Sequence, residues 1–251
     1  MNKVINIQAV KVSCGQCSLA QLCMPRGLSN DEFNTLTAIV KRERPLQKGE
    51  SLFKLGQSFS SLYAVRTGSV KTYLPTAGGE EQIVGFNMPG ELLGFDGISR
   101  GDHTCTAIAL EQTSVCELPF NRLHDLCNEL PSLNDHFLSL MSNEIVGEHA
   151  MMLALARKSA EARMATFLLN LSSRFKRRGF SPTQFHLTMS RHDIANYLGL
   201  AVETVSRIMT HMQDAGMVEV ERRFVRLTDM PRLQQLAGIE PDACASAREK
   251  A

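Results

Sequence analysis

Residues 188–220, TMSRHDIANYLGLAVETVSRIMTHMQDAGMVEV, leave this part of the chain few choices of fold. Ser190 stands three residues before Asp193, as in a capping box with Asp in place of Glu, so a helix starts there. Ile194, Ala195 and Leu198 fall on its inner face, and Gly199 stops it. A second helix is expected from near Val202, with Val205, Ile208 and Met209 turned inward. A small residue at 195, a turn glycine at 199 and an apolar residue at 205 let two helices cross closely through a short turn. The next stretch, GMVEVERRFVRLTDM, reads as two short strands around a charged turn, the wing of a winged helix.

Such a motif turns outward the N-terminal end of its second helix, here Glu203, Thr204, Ser206, Arg207 and Thr210. That end enters the major groove of DNA. Arg207 carries the fork that fits guanine O6 and N7, and Glu203 can accept from cytosine N4. A carboxylate facing phosphates is repelled, so Glu203 makes poor non-specific glue. A Glu203–Arg207 pair at i,i+4 is compatible, since it can aim the arginine. Arg174, Lys176, Arg177, Arg178 and Arg191 read as phosphate contacts or solvated charge. Net charge is only +1, yet residues 1–156 hold 12 Lys/Arg against 16 Asp/Glu, and residues 157–232 hold 13 against 7. An acidic front at −4 and a basic back at +6 indicate two modules, the second facing a polyanion.

The front has a different texture. Residues 29–44, SNDEFNTLTAIVKRER, read as a helix capped by Ser29 with a stripe of Phe33, Leu36, Ile39 and Val40. From Pro45, short β-type runs such as SLYAVRTGSVKTYL and HTCTAIALEQTSVCELP are punctuated by Gly49, Gly56, Gly68, Gly78, Gly79, Gly85, Gly90 and Gly94. That spacing predicts a small all-β sandwich or barrel, and the whole chain is of the α+β class.

A helical pattern then runs over 134–157. Leu138, Met141, Ile145, Glu148, Met152 and Leu155 are spaced 3, 4, 3, 4, 3, the seam of a coiled coil and hence of a homodimer. The alternative is a core helix lying on the β module. Glu148 would face its symmetry mate, setting like charges together and making the dimer deliberately marginal.

No run approaches the roughly 18 apolar residues of a membrane span. The N-terminus has no apolar core of a signal peptide, which points to the cytoplasm, where thiols stay reduced. There, CGQCSLAQLC at 14–23 holds three of the seven cysteines, and a metal or redox role fits better than a disulfide. Zinc would accept thiolates, but no second C-x2-C completes a symmetrical ribbon. No Ser/His/Asp set, phosphate loop or paired carboxylates suggest an enzyme.

Together these features resemble the CRP/FNR superfamily of bacterial transcription regulators, and within it the oxygen-sensing FNR branch. The resemblance runs from about residue 13 to residue 238. It rests on CGQCSLAQLC, SVCELPF, RRGFSPTQFHLTMSRHDIANYLGLAVETVSR and the β-module glycines. It implies an N-terminal cysteine-cluster segment at 1–28 and a β-roll sensor domain at 29–133, a double-stranded jelly roll of the cyclic-nucleotide-binding type. A dimerisation helix at 134–157, a winged helix-turn-helix domain at 158–238 and a tail at 239–251 would follow.

It also implies a [4Fe–4S] cluster held by Cys14, Cys17, Cys23 and the distant Cys116, since soft thiolates suit iron. Cys105 is the rival for the fourth place, while Cys127 and Cys244 read as a helix core thiol and a tail thiol. The family's operator would be an inverted repeat like TTGAT-N4-ATCAA, read by Glu203, Ser206 and Arg207 with Thr204 and Arg191 beside them. RNA polymerase would meet residues 75–81 and 178–182, and oxygen would be the signal. A thiol switch, zinc or haem on the same fold is the alternative, with His103, His124 and Cys105 as haem candidates. Cyclic nucleotide is not expected. The chain keeps Gly90, Glu91 and Leu92, but Cys105, Thr106 and Ala107 stand where nucleotide binders place a phosphate-clamping arginine, and Arg100 lies five residues upstream.

Overall fold

The structure is a computed structural model that describes Cys17 and residues 30–42 and 44–239, without the side chains of Asn30 and Phe33. The expected cap Ser29, the stripe residue Phe33, and Cys14, Cys23 and Cys244 therefore lie outside what is described. The chain divides into two compact units, Met1–Thr72 with Phe86–Met141, and Tyr73–Gly85 with Ser142–Ala251.

The first unit is built on a β-roll. Helix α1 (Asn30–Ile39) precedes eight strands: β1 (Lys41–Arg42), β2 (Ser51–Phe53), β3 (Ser61–Thr67), β4 (Val70–Pro75), β5 (Glu81–Asn87), β6 (Leu92–Leu93), β7 (Thr106–Ala109) and β8 (Ser114–Pro119). They form two four-stranded sheets, in the orders β1-β8-β3-β6 and β2-β7-β4-β5. Phe53, Val65, Val70, Leu93 and Ala107 make the apolar layer between them. Gly68 turns β3 into β4 at φ +80, and a Cβ there would collide with Thr113, so the turn accepts only glycine.

Two helices follow, α2 (Phe120–Glu129) and α3 (Pro131–Arg157). A second apolar cluster joins Leu36 of α1, Leu62 and Ala64 of β3, Leu118 of β8, Leu123 and Leu126 of α2, and Leu133 and Phe137 of α3. The anticipated helix over 29–44 stops at Ile39, because Lys41 and Arg42 pair with Glu117 and Cys116 of β8. The anticipated 134–157 helix starts earlier, at Pro131, a first-turn position where the missing N–H costs nothing. Only its first turns enter the β-roll core. Leu138, Ile145 and Met152 further along are 52%, 51% and 66% exposed.

In the second unit, α4 (Ala160–Arg177) is followed by β9 (Gln184–His186), α5 (Arg191–Leu198), α6 (Val202–Asp214), β10 (Val218–Glu221), β11 (Phe224–Leu227) and α7 (Met230–Leu236). The two-helix motif and the wing fall where expected. The wing gains a third strand, in the order β10-β11-β9, which the sequence did not announce. Phe185 of β9 is buried and stacks on Phe175 of α4 at 5.0 Å. Ile194, Leu198, Val205 and Met212 are almost fully buried, forming the crossing of α5 and α6. No helix among the described residues is long and apolar enough to cross a membrane.

Candidate DNA-reading surface and cysteine site

The reading helix is aimed by its local chemistry. The Ser190 hydroxyl accepts from the Asp193 N–H at 3.1 Å, and the Asp193 carboxylate accepts from the Ser190 N–H at 2.9 Å, which is the anticipated capping box. At the other end Gly199 takes φ +62, and the Leu200 N–H returns to the Ala195 carbonyl at 2.9 Å. An extended Ala201 then launches α6. Val205, Ile208, Met209 and Met212 bury one face of α6, leaving Glu203, Ser206, Arg207 and Thr210 exposed and Thr204 half-buried.

The alternative Glu203–Arg207 pairing is not what forms. Arg207 donates instead to the Thr204 hydroxyl at 3.4 Å, one turn back. Ser206 donates to the Val202 carbonyl at 3.0 Å, so its lone pairs remain available outward. Arg191, at the start of α5, is half-buried, and burial lowers its pKa while one of its terminal nitrogens has no hydrogen-bond partner. It presents less of its fork to a phosphate than a surface arginine would. The wing tip carries Arg222, at φ 55, and Arg223, both exposed. Sequence reading saw a charged turn there but did not single these two out.

Asn196 of α5 was also missed. Its Oδ1 accepts from the Ile83 N–H at 2.6 Å and its Nδ2 donates to the Glu81 carbonyl at 2.6 Å. The Gln82 side chain donates to the Asn196 carbonyl at 3.0 Å. These residues belong to the Tyr73–Gly85 arm, which lies in the same compact unit as α5. Because β5 is a sheet-edge strand, the Asn196 amide satisfies backbone groups that a further strand would otherwise pair.

Of the four anticipated cluster cysteines, two lie among the described residues. Cys17 and Cys116 are half-buried thiols, neither in a disulfide. Cys116 sits on β8 opposite Arg42 and Ala64 and packs against the cluster that contains Leu36, Leu133 and Phe137. Cys105 has a different chemistry. Burial, and then the Asp96 carboxylate whose oxygen lies 3.5 Å from the sulfur, push its thiol up to about 12. A thiol held protonated beside a carboxylate is a poorer metal ligand than an ordinary cysteine.

Asp96 organises the whole loop. Its carboxylate also accepts from the Thr104 N–H at 2.7 Å and faces His103 Nδ1 at 3.3 Å. His103 is 2% exposed and stacks on Phe53 at 3.7 Å, which makes it a core histidine. The Glu91 carboxylate accepts from the Met88 N–H at 2.8 Å, in keeping with a structural role.

Along α3, Leu138, Ile145 and Met152 are exposed with Glu148, while Met141 and Leu155 are half-buried. Val146 and Leu153, at 63% and 60% exposed, widen the apolar strip beyond the seam read from sequence. Tyr197 of α5 is half-buried, and that burial raises its pKa, with Arg174 lowering it and Glu144 and Glu148 adding smaller increases.

A β-roll, a long helix with an exposed apolar strip and a winged helix-turn-helix define a DNA-binding regulator. A family model described as a cyclic nucleotide-binding domain matches residues 43–130, and one described as a Crp-like helix-turn-helix domain matches residues 162–236. The chain is 50% identical to the transcriptional activator protein FnrA of Stutzerimonas stutzeri, over 97% of this chain and 100% of that one. It is 48% identical to the fumarate and nitrate reduction regulatory protein of Escherichia coli strain K12, covering 90% of this chain and 91% of the relative. Among solved structures, FixK2 from Bradyrhizobium japonicum matches with a TM-score of 0.72 and 29% identity, over 79% of this chain and 97% of that one. The chain belongs to the CRP/FNR family of transcription regulators, alongside its FNR-named relatives.

Proposed function

We propose that this protein is an oxygen-responsive global transcription regulator that binds DNA as a homodimer when Cys14, Cys17, Cys23 and Cys116 hold a [4Fe–4S] cluster. Its operator would be an inverted repeat resembling TTGAT-N4-ATCAA. The observation that carries this reading is the apolar cluster in which Cys116 packs with Leu36 of α1 and with Leu133 and Phe137 of α3. A cysteine there lies against the start of the helix that would make the dimer.

When bound, the cluster supplies iron–sulfide chemistry that oxygen degrades. The chain's residues do the rest. Thiolates at 14, 17 and 23, tied to the thiolate of Cys116 on β8, would pin the segment before α1 to the β-roll. That tie steadies Leu36, and through the shared cluster it steadies Leu133 and Phe137. The exposed Leu138, Ile145 and Met152 then pack against their symmetry mates. Facing Glu148 residues oppose that packing, which keeps the association marginal and easily tipped. Two reading helices on one dimer gain avidity that one half-site lacks.

At the DNA, Glu203, Ser206 and Arg207 read base edges, with Thr204 and Arg191 beside them. Residues 75–81 and 178–182 would meet RNA polymerase. Cyclic nucleotide does not fit this reading, because Asp96 places negative charge beside Cys105, where nucleotide binders need a cation.

The test is fluorescence anisotropy of protein purified without oxygen, on the inverted repeat and on a scrambled duplex, before and after exposure to air. Specific binding that disappears in air is expected. Equal specific binding in both states would defeat the oxygen reading.

A further inference from the structure

Three helices of the second unit end at one place, and two cations hold them there. Helix α3 is separated from α4 by the extended residue Ser159, with φ −63 and ψ 163. Such a break is a hinge unless something bridges it. Arg163, half-buried on the first turns of α4, spans it. Its Nε donates to the Lys158 carbonyl at 3.1 Å, just past α3, and a terminal nitrogen donates to the Leu198 carbonyl at 3.1 Å, the last residue of α5. Lys158 completes the knot, with its Nζ donating to the Ala237 carbonyl at 2.6 Å, after α7, and to the Thr166 hydroxyl at 3.0 Å.

Carbonyls at helix C-termini have no partner within the helix and carry the negative end of the macrodipole. A guanidinium satisfies two such ends at once and holds them at a fixed separation, because its donors lie on a rigid fork. The Leu198 end matters most. It adjoins Gly199, the turn that launches α6, so a displacement at the hinge passes directly to the reading helix.

We infer that Arg163 is a positioning residue for operator recognition, fixing the angle between α3 and the α5–α6 pair and thereby the spacing of half-sites the protein accepts. The inference rests on the proposed binding of a dimer to an inverted repeat. Each base pair added between half-sites moves them apart by about 3.4 Å and turns one by about 35° about the duplex axis. A rigid knot rejects that change, while a hinge free at Ser159 absorbs it.

The experiment measures affinity of the anaerobically purified full chain for duplexes whose half-sites are four, five or six base pairs apart, and for a lone half-site. Wild type is expected to favour one spacing by at least tenfold, roughly the gain of two linked sites over one. Arg163→Ala should shrink that preference to about threefold or less while leaving the lone half-site affinity unchanged. Arg163→Lys, which keeps the charge but loses the two-pronged fork, should fall between them. An intact spacing preference in Arg163→Ala overturns the inference. So does an equal loss on every duplex, since a damaged fold weakens all sites without reordering them. If wild type itself ranks the three spacings equally, the dimeric reading fails and takes the inference with it.

Discussion

Arg207 and Cys105 show how far residue type alone can be read. The outward position of Arg207 was legible from its place on α6, but its Thr204 contact was not, because Glu203 and Thr204 are both within reach of a helical arginine. Arg207→Ala should cost about 1–3 kcal/mol on the operator and relax the preference at one guanine. Competition binding with single-base variants checks this, and an equal loss on random DNA would make Arg207 a backbone contact. For Cys105, a thiol at about 12 stays protonated through neutral pH. In the reduced, cluster-free protein its alkylation should be slow at pH 8 and climb about tenfold per pH unit toward pH 10, where an ordinary cysteine has already levelled off. Asp96→Asn removes the repelling charge, lowering the thiol pKa and speeding alkylation, although burial, the larger cause, remains. Mass-spectrometric labelling of Cys105 as fast as that of an unfolded cysteine would contradict the burial argument. Only the cysteine itself was visible in the sequence, since Asp96 reaches it from nine residues away through a loop.

At the scale of elements, the reading was most successful where a local rule operates. The capping box at Ser190 and Asp193, the stop at Gly199 and the inward face of α6 all depend on neighbours within a turn. Ser190→Ala should lower stability by about 1 kcal/mol, measured by thermal or urea unfolding. Where pairing partners are remote, the pattern fails. Lys41 and Arg42 directly follow a helical stripe in sequence but are claimed by β8 instead. Strand β9 has only three residues, too few to display alternation. The Asn196 clamp joins residues 113 and 115 positions apart, and one amide makes no pattern. Asn196→Ala should strip protection from the Ile83 amide in hydrogen exchange while β3 and β8 keep theirs; unchanged Ile83 exchange would show the clamp to be idle. For α3, Glu148→Ala should tighten the monomer–dimer equilibrium and Ile145→Glu should weaken it, as read by sedimentation. No change in either variant would remove the seam.

For the whole molecule, the order of modules was legible because texture changes so sharply along the chain, from alternating short runs to heptads to a capped helix pair. The charge imbalance points the same way, with +6 over 157–232 against −4 over 1–156. What no periodicity can state is how cysteines at 14, 17, 23 and 116 act on a helix that begins at Pro131. The apolar cluster of Leu36, Leu133 and Phe137 around Cys116 offers that link. The central claim is that these four thiolates hold an oxygen-labile cluster, and purification without oxygen followed by iron and acid-labile sulfide assays tests it most directly. The account predicts about four iron and four sulfide per chain, with a brown visible absorbance that bleaches in air and is lost in Cys116→Ala but retained in Cys105→Ala. Zinc or no metal, with a spectrum indifferent to air, would contradict it.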